Sequence, residues 1–455
     1  SQQAIARRVY RALKQGQNLL LEAPTGSGKS LGVLFPAVKA MDMEEQLFFL
    51  TSRNAGAQAA LTALQQIDPE RAGLSVVELT AKEKICPVEG MPCDASRCEY
   101  AAGYFDRVGA AVDTVIAQGC ADRTAIQQVA QAHSVCPFEL SLDAALWADV
   151  VCGDYNYIFD PVVKLQRFNG HRGLHLLIDE AHQLSPRARD MLAVSLHWGM
   201  LRPAKKTSNA AMAKRIASLD RALLALRRSH GEGVHHGVSA DAVARACSKF
   251  LEAAAEQDLD LEAHPELVEI YLAVWRWHRS DGWYQAQHFE HLLEVQGRNV
   301  TLSRVCLDPG PYLQSIFDDH GSVIRFSATV SPMPLYQRLH GFNESNQNGC
   351  SERAGSPFNS EQALVLVVPD IPTYYKQREQ SLPQLALLIS QLVNARPGRY
   401  MVALPSYAYL DALSERYEAG WGDIFVQQRG LNPADSDTLL QRFAASKRGV
   451  LFIVM

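Results

Sequence analysis

The sequence predicts an α/β protein built on doubly wound parallel sheets, and three observations lead to this prediction. Short apolar runs such as 19–21 and 46–52 alternate with amphipathic helical segments. A glycine-rich turn joins the first run to a helix, and a later apolar run ends in the adjacent carboxylates Asp179 and Glu180. Strands that alternate with helices pair in parallel, so their carboxyl ends meet at one edge of the sheet.

The composition is that of a globular protein with more than one core. A chain of 455 residues exceeds what one hydrophobic core usually organises, so we expect two or more domains. The formal net charge is −5, so any surface that binds a polyanion has to be local. No apolar run approaches the ~20 residues of a bilayer crossing, and Ser1 opens onto a basic helical segment. We therefore expect a cytoplasmic protein, associated with the nucleoid if it is bacterial, and no membrane partner.

Changes in composition divide the chain. The alternation of strands and helices stops at Lys82, resumes before Asp179, and gives way to an almost wholly helical pattern from about Leu184 to about His320. A stretch rich in Asn, Ser and Gly then marks a boundary, after which residues 363–370, 398–406 and 449–455 are predicted strands. The predicted parts are a first α/β domain in 1–84, 137–190 and 321–355, a cysteine-bearing module in 85–136, a helical insertion in 191–320, and a second α/β domain in 356–455.

The segment EAPTGSGKS has the pattern of a phosphate-binding loop. Gly26 and Gly28 allow backbone N–H groups to turn toward a phosphate, Lys29 reaches the terminal phosphates, and the Ser30 hydroxyl can ligate Mg²⁺. A stricter pattern has glycine where Ala23 stands. An incidental glycine turn is the alternative, which the order of strand, loop and helix disfavours. The expected nucleotide contacts in this loop are Thr25, Gly26, Ser27, Gly28, Lys29 and Ser30.

The segment LLIDEAH supplies the carboxylates for hydrolysis. An apolar strand delivers Asp179 and Glu180 to the sheet edge where ligands of α/β proteins bind. We expect Asp179 to hold the Mg²⁺ that bridges the phosphates, and Glu180 to orient and deprotonate the attacking water. Adjacent carboxylates on a solvated turn are the alternative. The phosphate loop upstream makes hydrolysis of ATP the stronger prediction.

Three cysteines lie close together in KICPVEGMPCDASRCEYAAGYFDR. The chain has nine cysteines, an odd number scattered over a large protein, which argues against a disulfide framework. Cys86, Cys93 and Cys98 have the spacing C-x6-C-x4-C, which indicates metal binding. Thiolates of this kind suit either a 4Fe-4S cluster or a structural Zn²⁺, and the spacing does not choose between them.

Together these motifs resemble the iron–sulfur helicases of superfamily 2, the XPD/DinG group, and within it the XPD-like branch. The resemblance rests on APTGSGKS, DEAH at 179–182, FSAT at 326–329, and the cysteines between the first two motifs. Gln2 also stands where the family has an adenine-reading glutamine. The resemblance spans nearly the whole chain and implies two RecA-like motor domains, the first interrupted by an iron–sulfur module and a helical arch.

The resemblance also assigns the metal ligands. Cys136, in the segment VCPFEL, resembles the last ligand of the family and joins the three cysteines upstream. It favours a 4Fe-4S cluster over zinc. Cys120 lies within a helical pattern and is not among the ligand positions.

The resemblance implies further roles in coupling and DNA binding. His182, Ser327 and Thr329 match segments that connect the nucleotide state to motion of the motor domains. The expected contacts with the DNA backbone are Arg53, Ser406 and Tyr407. The stretch WRWHR in the helical insertion could stack bases, but Tyr271, Trp275 and His278 share a helical face, which favours packing.

The resemblance implies an ATP-dependent DNA helicase that translocates 5′ to 3′ on single-stranded DNA in repair. Its expected partners are single-stranded DNA and forked duplex DNA, and it is expected to be a monomer. The alternatives are a DinG-like helicase linked to a nuclease, and a non-motor DNA-binding regulatory ATPase subunit. The family continues past a strand like GVLFIVM into a motif with an arginine finger, so a chain ending at Met455 is expected to unwind poorly alone.

Overall fold

The protein divides into two compact units, Ser1–Phe358 and Asn359–Met455. The finer division of the chain into the four predicted parts stays a prediction. The structure is a computed structural model, and it describes residues 2–52, 54–68, 73–88, 90, 93–168, 173–257, 264–342, 349–359, 361, 364–417, 422–431 and 433–454. Within these residues no helix has the length and apolar character needed to cross a membrane.

Strands and helices alternate through much of the chain. Numbered along the chain, the strands are β1 (Asn18–Glu22), β2 (Gln46–Thr51), β3 (Val76–Glu78), β4 (Cys120–Ala121), β5 (Val150–Asp154), β6 (Leu174–Ile178), β7 (Val194–His197), β8 (Gly233–His236), β9 (Phe289–Gln296), β10 (Asn299–Cys306), β11 (Val323–Ser327), β12 (Gly349–Arg353), β13 (Arg399–Leu404), β14 (Asp423–Val426) and β15 (Gly449–Val454). The helices are α1 (Gln2–Lys14), α2 (Lys29–Ala40), α3 (Asn54–Ile67), α4 (Lys82–Ile85), α5 (Tyr104–Ala117), α6 (Arg123–His133), α7 (Pro137–Ala144), α8 (Asn156–Phe159), α9 (Leu184–Leu192), α10 (Leu201–Thr207), α11 (Ala210–His230), α12 (Asp241–Ala255), α13 (Pro265–Arg279), α14 (Gly310–Asp318), α15 (Met333–Leu339), α16 (Arg378–Ala395), α17 (Tyr407–Ser414) and α18 (Pro433–Ala445).

The first unit is organised around an eight-stranded sheet with the order β12-β1-β11-β6-β2-β5-β3-β4. All of its strand pairs are parallel. The residues of β2 show why both faces are covered. Leu47 and Phe49 belong to one buried cluster, whereas Phe48 and Leu50 belong to another. Because successive strand residues point to opposite faces, apolar cores lie on both sides of the sheet, as in a doubly wound fold. The predicted fold class is confirmed.

The first helix packs as its apolar pattern predicts. Ile5, Val9 and Leu13 of α1 are buried in the cluster that also contains residues of α2 and α3. The module that carries the cysteines packs on the opposite core, through Tyr104 among others. Cys120 lies in β4 between α5 and α6, so its predicted helical environment is wrong.

The insertion between α9 and β11 has its own core, and it is not wholly helical. Helices α10–α13 accompany a four-stranded antiparallel sheet with the order β7-β10-β9-β8. The prediction of an almost wholly helical segment is therefore wrong for these strands. The two longest, β9 and β10, pair over eight residues each, with half-buried polar side chains interspersed among the apolar ones. These polar side chains interrupt the apolar–polar alternation by which a strand is recognised in a sequence.

One ring of the WRWHR stretch of α13 lies in the core of this insertion. Trp277 is fully buried, and the guanidinium of Arg304 lies 5.0 Å from its ring centroid. Tyr271 packs half-buried against the same core. Trp275 is half-buried, with the Arg279 guanidinium 5.6 Å from its ring centroid. The packing interpretation therefore holds for Tyr271 but not for His278, which is exposed, and the ring at the centre of the core is Trp277.

The second unit has a three-stranded parallel sheet with the order β13-β15-β14. Two of the three predicted strands are present, at 399–404 and 449–454. The strand predicted for 363–370 is wrong, since its described residues are not paired in a sheet and Leu364 is 82% exposed. A strand needs a neighbour for its N–H and C=O groups, and local sequence does not show whether one is available.

Truncation of a core ring should measure how much the first unit depends on this packing. Phe48 is fully buried, and its ring meets Phe168 edge-on with centroids 5.3 Å apart. We expect Phe48→Ala to lower the free energy of unfolding of the first unit by about 3–5 kcal/mol in urea denaturation, because it leaves a cavity. Phe105 is 89% exposed, so Phe105→Ala should change it by less than about 0.5 kcal/mol. Equal effects of the two variants would contradict the assignment of the core.

Candidate nucleotide site

The carboxyl ends of β1, β11 and β6 form one edge of the large sheet. Glu22 at the end of β1 pairs with Ser327 at the end of β11, and Arg325 in β11 pairs with Ile178 at the end of β6. The register therefore brings together the starts of three segments: the phosphate loop after β1, FSAT at the end of β11, and DEAH after β6. Ligands of open α/β sheets bind at such an edge.

The phosphate loop has the backbone conformation that an anion site needs. Gly26 has φ +79° and Gly28 has φ +71°, both in the left-handed region that favours glycine. Gly28 is the N-cap residue of α2 and has no side chain that could cap the helix. N–H groups of the first helical turn are therefore available to a ligand. The Ser27 hydroxyl is buried and has no hydrogen-bond partner among the described residues. These features fit a bound phosphate chain.

Gln2 lies against this loop from α1. Its side-chain amide donates a hydrogen bond to the Gly28 carbonyl at 3.4 Å. A Cβ atom at Gly28 would come within 2.7 Å of the Gln2 amide nitrogen, so glycine allows the close approach. The predicted adenine-reading residue therefore lies at the loop, while its contact with a base stays a prediction.

Asp179 is held tightly at the end of β6. Its N–H donates to the Leu50 carbonyl at 2.9 Å, and one of its carboxylate oxygens accepts from the Glu180 N–H at 2.9 Å. Burial raises the pKa of Asp179 to about 6; the Glu180 N–H and the Lys29 ammonium act in the opposite direction, and the Glu180 carboxylate adds to the increase. A buried carboxylate at the edge that carries the phosphate loop is suited to a divalent cation.

Tyr155 is a member of this site that the sequence analysis missed. Its hydroxyl donates to the Asp179 carbonyl, and the side chain is fully buried. Burial raises the pKa of this hydroxyl well above its usual value, so it remains a donor. No motif in GDYNY indicates this role, since the contact joins β5 to β6 across the sheet.

Glu180 has a left-handed backbone with φ +49°, an unfavourable conformation for a non-glycine residue. Its carboxylate accepts a hydrogen bond from the Ser327 hydroxyl at 3.2 Å and lies 3.3 Å from His182 Nδ1. The Ser327 hydroxyl is also 2.7 Å from His182 Nδ1. The Thr329 N–H donates to Ser327 at 3.4 Å. One hydroxyl thus joins the DEAH and FSAT segments.

A second connection reaches the segment TSRNAG after β2. The Ser52 hydroxyl donates to the Gln183 side-chain carbonyl at 2.6 Å, so the turn after DEAH is tied to the end of β2. The sequence analysis selected Arg53, which lies outside the described residues. The sequence does not reveal the contact between Ser52 and Gln183, because each lies beside a different motif and neither belongs to a recognised pattern.

The predicted DNA contacts Ser406 and Tyr407 lie in the second unit. Ser406 is the N-cap residue immediately before α17, and its hydroxyl accepts a hydrogen bond from the Tyr409 N–H at 3.4 Å. The Arg429 guanidinium is 5.5 Å from the ring centroid of Tyr407. A helix cap explains Ser406 in structural terms, and its contact with DNA stays a prediction.

Three of the four predicted ligand cysteines lie close enough to Lys82 to influence its pKa. A hydrogen bond with Cys93 is the main cause that raises the pKa of Lys82, and the thiols of Cys136 and Cys86 act in the same direction. All four cysteines are free. In the described ranges, no three His, Cys, Asp or Glu side chains converge closely enough to hold a metal ion. Thiols are suitable donors for an iron–sulfur cluster or zinc, and the ligand set stays a prediction.

Two family models match the amino-terminal part of the chain. Residues 60–201 match DEAD_2, and residues 3–85 match the DEAD/DEAH box helicase family. The two matches cover the phosphate loop, the cysteines and the DEAH segment. No curated protein is similar in sequence to this chain.

Solved structures share the fold of the whole chain. One titled "XPD_Helicase" is 16% identical over 100% of this chain and 79% of its own, with a TM-score of 0.56. The "Structure of S. tokodaii Xpd4" is 12% identical over 99% of this chain and 80% of its own, with a TM-score of 0.55. At this identity the likeness shows the fold. The chain therefore shares the fold of these solved structures, and its residues 3–201 match helicase family models.

Proposed function

We propose that the protein is an ATP-dependent helicase that translocates on single-stranded DNA. The observation that best supports this is the Ser327 hydroxyl, which lies between Glu180 and His182 at the sheet edge that carries the phosphate loop. A site that only bound nucleotide would not need a connection between the carboxylate of hydrolysis and a second segment. Such a connection suits an enzyme that converts hydrolysis into motion.

In the proposed reaction the loop amides and Lys29 hold the phosphates of ATP. Mg²⁺, held by Ser30 and Asp179, would neutralise charge on the phosphates and polarise them. Glu180 orients the attacking water and accepts its proton. The left-handed backbone of Glu180 fixes the carboxylate beside Ser327, so the direction of the carboxylate depends on the FSAT segment.

We infer that the nucleotide state is read through the same contacts. When Glu180 binds the attacking water, its carboxylate changes its contacts with Ser327 and His182. The hydrogen bonds of these two residues therefore differ between nucleotide states. The hydrogen bond between Gln183 and Ser52 transmits a shift of the DEAH turn to the TSRNAG segment, which contains Ser52. Backbone contacts with DNA from Arg53, Ser406 and Tyr407 would provide grip without sequence preference.

We further propose that Cys86, Cys93, Cys98 and Cys136 hold a 4Fe-4S cluster. The resemblance to iron–sulfur helicases supports both these ligands and the metal. A cluster would stabilise a segment with little apolar material of its own. The 5′ to 3′ polarity, the preference for forked DNA, the monomeric state and the role in repair rest on the same resemblance.

Removal of the loop ammonium tests the hydrolytic site. We expect Lys29→Ala to lower DNA-stimulated ATP hydrolysis by about 100-fold or more, because the charge that holds the transferred phosphate is lost. The matched control is Lys39→Ala, since Lys39 is an exposed lysine of the same helix. Hydrolysis is measured by phosphate release with and without single-stranded DNA. Unchanged hydrolysis in Lys29→Ala would show that the loop is not the reaction site.

Asp179→Asn should raise the stability of the protein and weaken its binding of nucleotide. In the folded protein the pKa of Asp179 is raised from its usual value to about 6. Ionisation of this group therefore lowers the stability of the fold increasingly as the pH rises from the usual pKa of an aspartate to about 6. We expect Asp179→Asn to raise the free energy of unfolding by about 2 kcal/mol at pH 8 and by less near pH 5. Calorimetry should show weaker binding of Mg-ADP. Asp190→Asn, which changes an exposed carboxylate on α9, should do neither. A less stable Asp179→Asn protein at pH 8 would contradict the account.

Ser327→Ala tests the coupling. We expect stimulation of ATP hydrolysis by single-stranded DNA to fall about tenfold, while the affinity for ADP changes less than about twofold. Ser315→Ala is the control, because that exposed hydroxyl bonds only within α14. Equal losses of ADP binding and of stimulation would indicate a role in nucleotide binding instead.

Metal analysis tests the cysteine assignment. Freshly purified protein kept free of oxygen should absorb near about 400 nm and contain about four irons per chain. Cys136→Ser should lose the iron and the colour, whereas Cys120→Ser should keep both. Zinc without iron would refute the cluster, and retention of iron in Cys136→Ser would refute the ligand.

A further inference from the structure

The chain returns to the phosphate loop at the end of the first unit. Strand β12 pairs in parallel with β1, with Arg353 opposite Glu22. The Ala354 N–H extends this pairing by donating to the Glu22 carbonyl at 2.7 Å. Parallel neighbours end at the same edge, so the residues after β12 and the loop after β1 leave the sheet side by side.

Two ion pairs fix the end of β12. Glu352 lies 3.0 Å from the Arg8 guanidinium of α1, and Arg353 lies 2.5 Å from the Glu22 carboxylate. The strand that leads back to the loop is thus tied to α1 and to β1.

Phe358 ends this path with its ring on the phosphate loop. An ideal Cβ atom at Gly26 would lie 2.7 Å from Cε2 and 2.9 Å from Cζ of Phe358, so the ring occupies the space that a side chain at Gly26 would fill. The ring is 60% exposed. An aromatic ring that leaves more than half its surface in water while it touches a phosphate-loop glycine borders the space above the loop.

Phe358 is also the last residue of the first unit, and Asn359 begins the second. Phe358 is thus joined by one peptide bond to the segment that leads into the second unit. Hinges between units are a few residues of this kind.

We propose that Phe358 is a positioning residue that couples nucleotide occupancy of the phosphate loop to the second unit. A nucleotide on the loop changes the surroundings of the ring, and the ring position then biases the path of the chain from Asn359 onward. By linkage, a second unit held in one position changes the affinity of the loop for nucleotide. The inference rests on the proposed binding of ATP at this loop.

The experiment places a fluorophore at this position. Phe358→Trp adds one indole to the six tryptophans of the chain, so its signal is the difference from wild type on titration with Mg-ADP. We expect a saturable change in this difference, with the same midpoint as ADP binding by calorimetry. The change should be absent when Lys29→Ala is added.

Activity provides the second readout. Phe358→Ala should lower stimulation of ATP hydrolysis by single-stranded DNA about tenfold, with ADP affinity within about threefold of wild type. Phe358→Tyr, which keeps the ring, should restore stimulation. Tyr374→Ala removes an aromatic ring that is 78% exposed in the second unit, and it serves as the control.

The outcomes separate the two proposals. If wild type binds ADP but Phe358→Trp gives no signal and Phe358→Ala keeps full stimulation, the coupling role of Phe358 is wrong while the nucleotide site stands. If wild type binds no ADP by calorimetry, the proposed function is wrong, and the inference that depends on it is overturned as well.

Discussion

The parallel pairing of β1, β11 and β6 is the constraint on which the site depends. Each strand carries a different segment at its carboxyl end, and hydrogen bonding in register places the phosphate loop, Ser327 and Asp179 at one edge. None of these side chains is near another along the chain. A shift of one residue between β1 and β11 would move Ser327 away from Glu180 and turn its side chain to the opposite face of the sheet.

The site has features that oppose stability. Burial disfavours the ionised form of Asp179, and Glu180 has a backbone conformation that few non-glycine residues adopt. The surrounding contacts hold both in place: the Leu50 carbonyl and the Tyr155 hydroxyl on the backbone of Asp179, and Ser327 on the carboxylate of Glu180. Such local costs are typical of residues that are selected for chemistry. Because these contacts are rigid, a movement of the Glu180 carboxylate changes its hydrogen bond with Ser327.

The sequence predicts features whose cause is local, and it misses those that depend on distant pairing. The phosphate loop is predictable because glycine, lysine and serine act within one turn. By contrast, the strand predicted for 363–370 fails, because strand formation needs a partner that local pattern does not reveal. Strands β9 and β10 lie in a segment that the sequence predicts to be helical, because polar residues interrupt their apolar alternation. The contact of Phe358 with Gly26 arises from the pairing of β12 with β1 and leaves no motif.

The most direct test of the account is the position of the metal in a crystal grown with Mn²⁺ and ADP. Manganese replaces magnesium on oxygen ligands and is located by its anomalous scattering. The account predicts one manganese peak between the Ser30 hydroxyl, the Asp179 carboxylate and the β-phosphate, with the diphosphate on the amides of the loop. A nucleotide bound elsewhere, or a metal that contacts neither Ser30 nor Asp179, would contradict it.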